Sequence, residues 1–239
     1  MFYLTGDTHG HFERIACFCE KMSTTKNDVL IILGDAGINF HGGWIDSCRK
    51  EYLSKLPITL LCIHGNHERR PQTIDSYQPK QWYGGTVLAE EEYPSILFAI
   101  DGEVYDFDGQ KAIVIGGAYS IDWMFRVPGR SWWPDEQPSA EIIEKVEHSL
   151  DRLGWRVNVV LSHTVPLKHE PVEVFLPGVD QSKVDKATEK WLDTIEDRLK
   201  YDRWYCGHYH TEKCVDRIRL MFEDFTVLQT REMEAGNQC

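Results

Sequence analysis

The sequence predicts an α/β fold with a second sheet, on three observations. Five short apolar runs, at 2–5, 29–33, 59–63, 157–161 and 204–206, are rich in β-branched or aromatic residues and end at glycine or a polar residue, as buried strands do. Segments with helical spacing of apolar residues separate the first three runs. Between Gly84 and Ala118 the pattern changes to short strands broken by turn pairs, which calls for a further sheet.

In order, the first third reads strand, helix, strand, helix, strand. Phe12, Ile15, Ala16 and Cys19 give a helix over 12–21, and a weaker helix over 48–56 stops at Pro57. This alternation belongs to βαβ units and parallel strands. Tyr93-Pro94, Asp101-Gly102 and Asp108-Gly109 then mark consecutive antiparallel strands, with a hairpin at Asp108-Gly109, and the run Glu90-Glu91-Glu92 reads as a solvated turn. The segment 120–138, rich in Trp, Pro, Arg and Asp without a period, is expected to be a long ordered loop ahead of a helix over 140–153 capped by Ser139. A further loop at 163–178 precedes a helix over 183–199. Strands over about 213–228 close the fold before a polar tail at 231–239. One domain spanning 1–239 is expected, because 239 residues suffice for one substantial core.

Composition narrows the functional classes. No apolar stretch reaches the roughly 18–20 residues of a membrane span, and the amino terminus lacks a basic region followed by an apolar signal segment. Seven scattered cysteines without a C-x-x-C pair suit free thiols in a reducing compartment, so a cytoplasmic protein is expected. A net charge of −12 argues against binding long nucleic acid or a membrane surface. It leaves small phosphate substrates open wherever bound cations set the local field.

Each strand run is followed by a short polar segment: Asp7-x-His9, Gly34-Asp35, Gly65-Asn66-His67-Glu68, Ser162-His163 and Gly207-His208-Tyr209-His210. Ligands at strand ends can converge in the crevice outside the carboxyl edge of an α/β sheet. The five blocks, in this order, resemble the signature of the calcineurin-like metallophosphoesterase family, and the resemblance runs from Gly6 to His210. It implies two mixed sheets packed face to face as a sandwich, flanked by helices, with a dinuclear metal centre at the sheet edge. By motif position it implies Asp35 as the bridging carboxylate, Asp7, His9 and His210 as the remaining ligands of one ion, and Asn66, His163 and His208 as those of the other. Two divalent transition metal ions are therefore expected, manganese first, with iron, zinc, cobalt or nickel also suited to mixed N/O ligation. The resemblance assigns His67 as general acid, a role that imidazole suits because modest shifts bring its pKa near working pH. His41, His148 and His169 show no ligand spacing.

One block departs from the phosphoprotein phosphatase branch of that family, which extends it to G-D-x-x-D-R-G. The stretch from Gly34 to Phe40 lacks both the second aspartate and the arginine that holds phosphate. Candidates to replace them lie further along, where Tyr119 ends a strand run and Arg126, Arg130, Trp132 and Trp133 combine guanidinium forks with aromatic surface. The expected function is metal-dependent hydrolysis of a small-molecule phosphoester or nucleotide, with a phosphomonoester slightly favoured. The alternatives are a phosphodiesterase acting on a small or cyclic nucleotide and a noncatalytic interaction module on the same fold.

Overall fold

The structure, a computed structural model, describes residues 1–228; the polar tail expected at 231–239 lies outside the described residues. The first third forms as its periodicity predicts: β1 (Phe2–Thr5), α1 (Glu13–Met22), β2 (Val29–Ile32), α2 (Gly43–Ser54) and β3 (Thr59–Cys62). The helix α2 begins five residues before the apolar spacing suggests. Asp46, in its first turn, accepts hydrogen bonds from the backbone N–H groups of His41 and Gly42 at 3.3 and 2.6 Å and so satisfies donors that a helix start leaves free.

The middle of the chain differs from the expected antiparallel series. A strand that the apolar pattern missed, β4 (Tyr77–Trp82), is followed by β5 (Gly85–Glu90) and β6 (Ile96–Ala99). These extend the first sheet, and β6 pairs with β3 in parallel. The hairpin at Asp108-Gly109 forms as expected between β7 (Val104–Phe107) and β8 (Gln110–Ile115), but it belongs to the other sheet. After α3 (Ala140–Arg152), capped by Ser139 as expected, come β9 (Val159–Ser162), α4 (Ala187–Arg198) and β10 (Arg203–Cys206). The closing strands are β11 (Lys213–Val215), β12 (Ile218–Leu220) and β13 (Phe225–Val227).

Two mixed sheets result, in the orders β13-β1-β2-β3-β6-β5-β4 and β11-β12-β10-β9-β8-β7. Alternate side chains of both sheets, among them Leu4, Ile31, Leu61, Val114, Leu161 and Tyr205, share one buried core. The opposite face of the first sheet packs Leu30, Ile32 and Leu60 on Ile15, Phe18 and Leu53 of α1 and α2. The opposite face of the second packs Ile113, Val160 and Trp204 on Val146, Leu150, Leu192 and Ile195 of α3 and α4. Because both faces of the central strands are covered, they read in sequence as unbroken apolar runs instead of alternating ones.

The remaining expectations divide. Cys62 and Cys206 are buried in strands with thiol pKa values raised by burial, as small hydrophobes. Glu91 and Glu92 form an exposed turn as expected, but Glu90 ends β5, where its carboxylate takes Lys50 at 2.5 Å and the Ser76 hydroxyl at 2.6 Å. Among the described residues, no helix is long and apolar enough to cross a membrane.

Candidate active site

All five polar blocks leave the carboxyl ends of parallel strands, three from the first sheet and two from the second, and meet at one end of the sandwich. Backbone bonds tie the loops together. Thr8 and His9 N–H donate to the Asp35 carbonyl at 3.2 and 2.8 Å, Gly207 N–H to His163 O at 2.8 Å, and Gly117 N–H to His64 O at 2.8 Å. Four of the motif residues, His9, Asp35, His208 and His210, hold left-handed backbones with φ of 47°, 47°, 67° and 49°. Such conformations cost on the order of 1–3 kcal/mol each and persist where surrounding bonds over-determine them.

The glycines before the ligands give the carboxylates room. A Cβ on Gly65 would stand 2.0 Å from Asp35 Oδ1, and one on Gly207 would stand 2.2 Å from Asp7 Oδ1. Each carboxylate is oriented by one backbone N–H, Asp35 Oδ1 by His67 at 2.7 Å and Asp7 Oδ1 by His208 at 2.9 Å. The second oxygens are thereby turned toward the imidazoles. Asp35 Oδ2 lies 3.7 Å from His163 Nε2 and 3.9 Å from Nε2 of both His9 and His67, while Asp7 Oδ2 lies 3.2 Å from His210 Nε2 and 3.6 Å from His9 Nε2.

The donor inventory shows what these atoms lack. His163 Nδ1 is 2.8 Å from the Leu33 carbonyl, which only accepts, so the proton of the neutral ring sits on Nδ1 and Nε2 presents a lone pair. That lone pair faces Asn66 Oδ1 at 2.8 Å, and the amide keeps its NH₂ outward because Nδ2 donates to Ser120 Oγ at 2.9 Å while the Ser120 hydroxyl gives its own proton to Glu136. Two acceptors therefore meet with no proton between them. The Nε2 atoms of His9 and His210 also converge, 2.8 Å apart, and both face the buried Asp7 Oδ2. Acceptors held against one another in this way fit a cation. Three overlapping groups of ligand atoms, Asp7/His9/His210, His9/Asp35/His67 and Asp7/Asp35/His163, each lie within 4.8 Å of one another.

Electrostatics agree with cation ligation. Burial acts to raise the Asp7 pKa, but the hydrogen bond from His210 and the charges of the neighbouring histidines outweigh it and hold the carboxyl below the usual range. Burial pushes His208 down to about 3, which keeps its ring neutral. That ring packs on the His163 ring at 5.0 Å.

The sequence profile of calcineurin-like phosphoesterases matches residues 1–212. The chain belongs to the calcineurin-like phosphoesterase family. Among solved structures, TT1561 of Thermus thermophilus resembles this phosphoesterase with a TM-score of 0.52 and 10% identity, over 92% of this chain and 87% of that one. A second crystal structure matches with a TM-score of 0.52 and 13% identity, over 92% and 88%. Both likenesses concern the fold alone. No curated protein matches the chain at a significant level.

In this phosphoesterase the residues proposed to replace the missing arginine and aspartate separate. Arg126 reaches the site: its Nη2 lies 2.5 Å from His67 Nδ1 and 2.7 Å from Asp122 Oδ2, and its Nη1 donates to Ser131 O at 3.1 Å. Tyr119 lines the adjoining cleft, which has a volume of about 430 Å³. Arg130 is exposed and is not among the residues lining that cleft. Trp133 is buried edge-on to Phe40 at 5.8 Å and so anchors the loop, while Trp132 packs on Trp123 within the loop itself at 5.7 Å.

A larger hollow of about 800 Å³ lies at the amino ends of the strands, between Met1, Lys111 and Asn158, and holds none of the motif residues. Function in an α/β sheet collects at the carboxyl ends, which favours the smaller cleft. Several residues that shape the site escape sequence reasoning. Ser120 orients Asn66, Arg14 binds the Gly6 and Asp7 carbonyls at 3.2 and 2.8 Å, and a buried Arg70–Asp101 pair at 2.7 Å braces the exit of β8, where Asp101 also accepts Gly116 N–H. None has a local sequence pattern to reveal it.

Proposed function

We propose that this phosphoesterase is a phosphomonoesterase with two divalent transition metal ions, manganese foremost, held by Asp7, His9, Asp35, Asn66, His163, His208 and His210. The observation that carries this reading is the contact of two acceptors, Asn66 Oδ1 and His163 Nε2, beside Asp35, together with the convergence of the His9 and His210 Nε2 atoms on Asp7. When bound, the ions activate water and neutralise the phosphoryl oxygens.

The remaining chemistry belongs to His67 and Arg126. A guanidinium only donates, and Arg126 Nη2 stands nearer to His67 Nδ1, at 2.5 Å, than to Nε2, at 3.2 Å, so Nδ1 is taken as the acceptor and the proton of the neutral ring as resting on Nε2, which faces Asp35 Oδ2 at 3.9 Å. A cationic group 2.5 Å from its ring also disfavours His67 as a ligand of a dication and suits it to the substrate side. As the phosphorus–oxygen bond to the alcohol breaks, the Nε2 proton passes to the leaving oxygen, the attacking water leaves its oxygen and one proton on phosphate, and its other proton replaces the one that His67 gives up, so the ring ends neutral. Arg126, braced by Asp122, takes the place of the arginine absent from the second block and pairs with phosphoryl oxygen, which favours a dianionic terminal phosphate. The free thiols of Cys19, Cys62 and Cys206 support a cytoplasmic setting. Metal analysis together with turnover of p-nitrophenyl phosphate and bis-p-nitrophenyl phosphate tests the proposal. Metal-dependent preference for the monoester is expected. Preference for the diester would replace the substrate class, and metal binding without turnover of either would favour a noncatalytic role.

A further inference from the structure

One wall of the cleft has a chemistry of its own. It is built from the segment before α4, where Val174 and Leu176 line the cleft while 38% and 61% exposed. Between them Phe175 is fixed from two directions. Its ring lies nearly parallel to Tyr209, the residue between two of the site histidines, with centroids 6.2 Å apart and planes 19° apart, and Lys186 Nζ stands 4.7 Å from its centroid. Lys186 is no free cation, because Glu170 neutralises it at 2.6 Å while also accepting from the Tyr209 hydroxyl at 3.2 Å. Among the residues lining the cleft there is no other lysine or arginine, and Asp185 and Glu189 add further carboxyl groups.

Such a wall offers apolar and aromatic surface beside the phosphate position and nothing to balance a second anion. We propose that it is a leaving-group subsite, which selects phosphoesters of uncharged aromatic or apolar alcohols over esters whose alcohol carries a further negative charge. The proposal rests on the phosphoesterase reading above and adds its substrate class. Continuity with the floor that holds Asp35, Asn66 and His67 makes the alcohol portion of the ester the natural occupant.

Three esters with phenols of comparable acidity, phenyl, 2-naphthyl and 4-carboxyphenyl phosphate, separate the subsite from leaving-group chemistry. In kcat/KM the naphthyl ester should exceed the phenyl ester by about fivefold or more and the carboxyphenyl ester should fall below it by a similar factor. Leu176→Asp and Val174→Asp, at exposed positions where folding tolerates charge, should each bring the naphthyl to phenyl ratio close to one. A ratio near one in the native protein, or one that neither substitution changes, overturns the subsite. If no ester turns over, hydrolysis itself is refuted, and calorimetric titration of the manganese-loaded protein with 2-naphthylphosphonate and methylphosphonate decides the subsite. Tighter naphthyl binding that weakens in Leu176→Asp upholds it, and equal binding overturns it.

Discussion

Replacing Asp35 by asparagine probes the centre directly, because the structure dictates how the amide must face. Asp35 Oδ1 accepts His67 N–H at 2.7 Å, and only an oxygen can keep that bond. The NH₂ of the variant then replaces Oδ2, which faces Nε2 of His163, His9 and His67 at 3.7, 3.9 and 3.9 Å. An anionic acceptor becomes a neutral donor at the point shared by two of the three candidate ligand groups. The consequence can be sized through binding linkage. A ligand specific for the folded chain stabilises it by about 2.7 kcal/mol at a hundredfold excess over Kd. At roughly 2–4 °C per kcal/mol for a chain of this length, each ion should raise Tm by about 5–11 °C. Chelator-stripped protein, melted with increasing manganese, should show this rise, and Asp35→Asn should lose most of it together with turnover. The metal-free Tm of each protein serves as its own reference. If the variant keeps the full metal-induced shift and native rates, Asp35 bridges nothing and the assignment fails.

His67→Gln should retain the metal-induced Tm rise yet lose about 10²–10⁴ in kcat on alkyl esters, with a smaller loss on p-nitrophenyl esters; equal losses on both would refute proton donation. Arg126→Ala should lower kcat/KM about tenfold or more, equivalent to about 1.4 kcal/mol, with metal binding intact. Arg130→Ala should stay near native, and an unaltered Arg126→Ala would reduce Arg126 to a loop anchor acting through Ser131. Burial pushes Glu189 up to about 7 from its ordinary value of 4.5, so the folded chain binds this proton more tightly than the unfolded chain. The resulting penalty is absent below the unfolded pKa, grows as pH rises through the window between the two values and is constant above it. Glu189→Gln should therefore gain up to about 3 kcal/mol over the native protein at pH 8 and nothing at about pH 4.5, as measured by denaturant unfolding; an equal difference at both pH values would refute the cause.

The floor of the site was legible because each ligand lies directly beyond a strand that announces itself. Asp7, Asp35, Asn66, His163 and His208 all follow runs buried on both faces, so apolar pattern and polar ending occur in one local stretch. Other features lack such a signal. The edge strand β4 is mostly exposed and contains Pro79, so neither apolar alternation nor strand propensity marks it. The parallel pairing of β6 with β3 depends on a partner 36 positions away in Leu60↔Ile96, and turn residues inside 84–118 do not encode it. Ser120 orients Asn66 across 54 positions, and Arg70 meets Asp101 across 31. Arg126 and Arg130 looked alike in composition. What separates them is the short turn Trp123–Phe125, which brings Arg126 back onto Asp122 and His67.

Floor and wall thus obey different physical demands, and this decides where substrate choice resides. The floor holds the candidate ligand groups with left-handed backbones, glycines pressed on carboxylates and hydrogen bonds that leave little freedom. The walls, Ile121 and Asp122 on one side and the segment from Val174 to Lys186 on the other, need only present a surface, and they carry apolar side chains as exposed as Leu176 at 61%. Structures only 10% and 13% identical share the fold alone, and the fold by itself does not choose a substrate. The identity of the alcohol must be sought in these two walls, where a single side chain can change without moving a ligand.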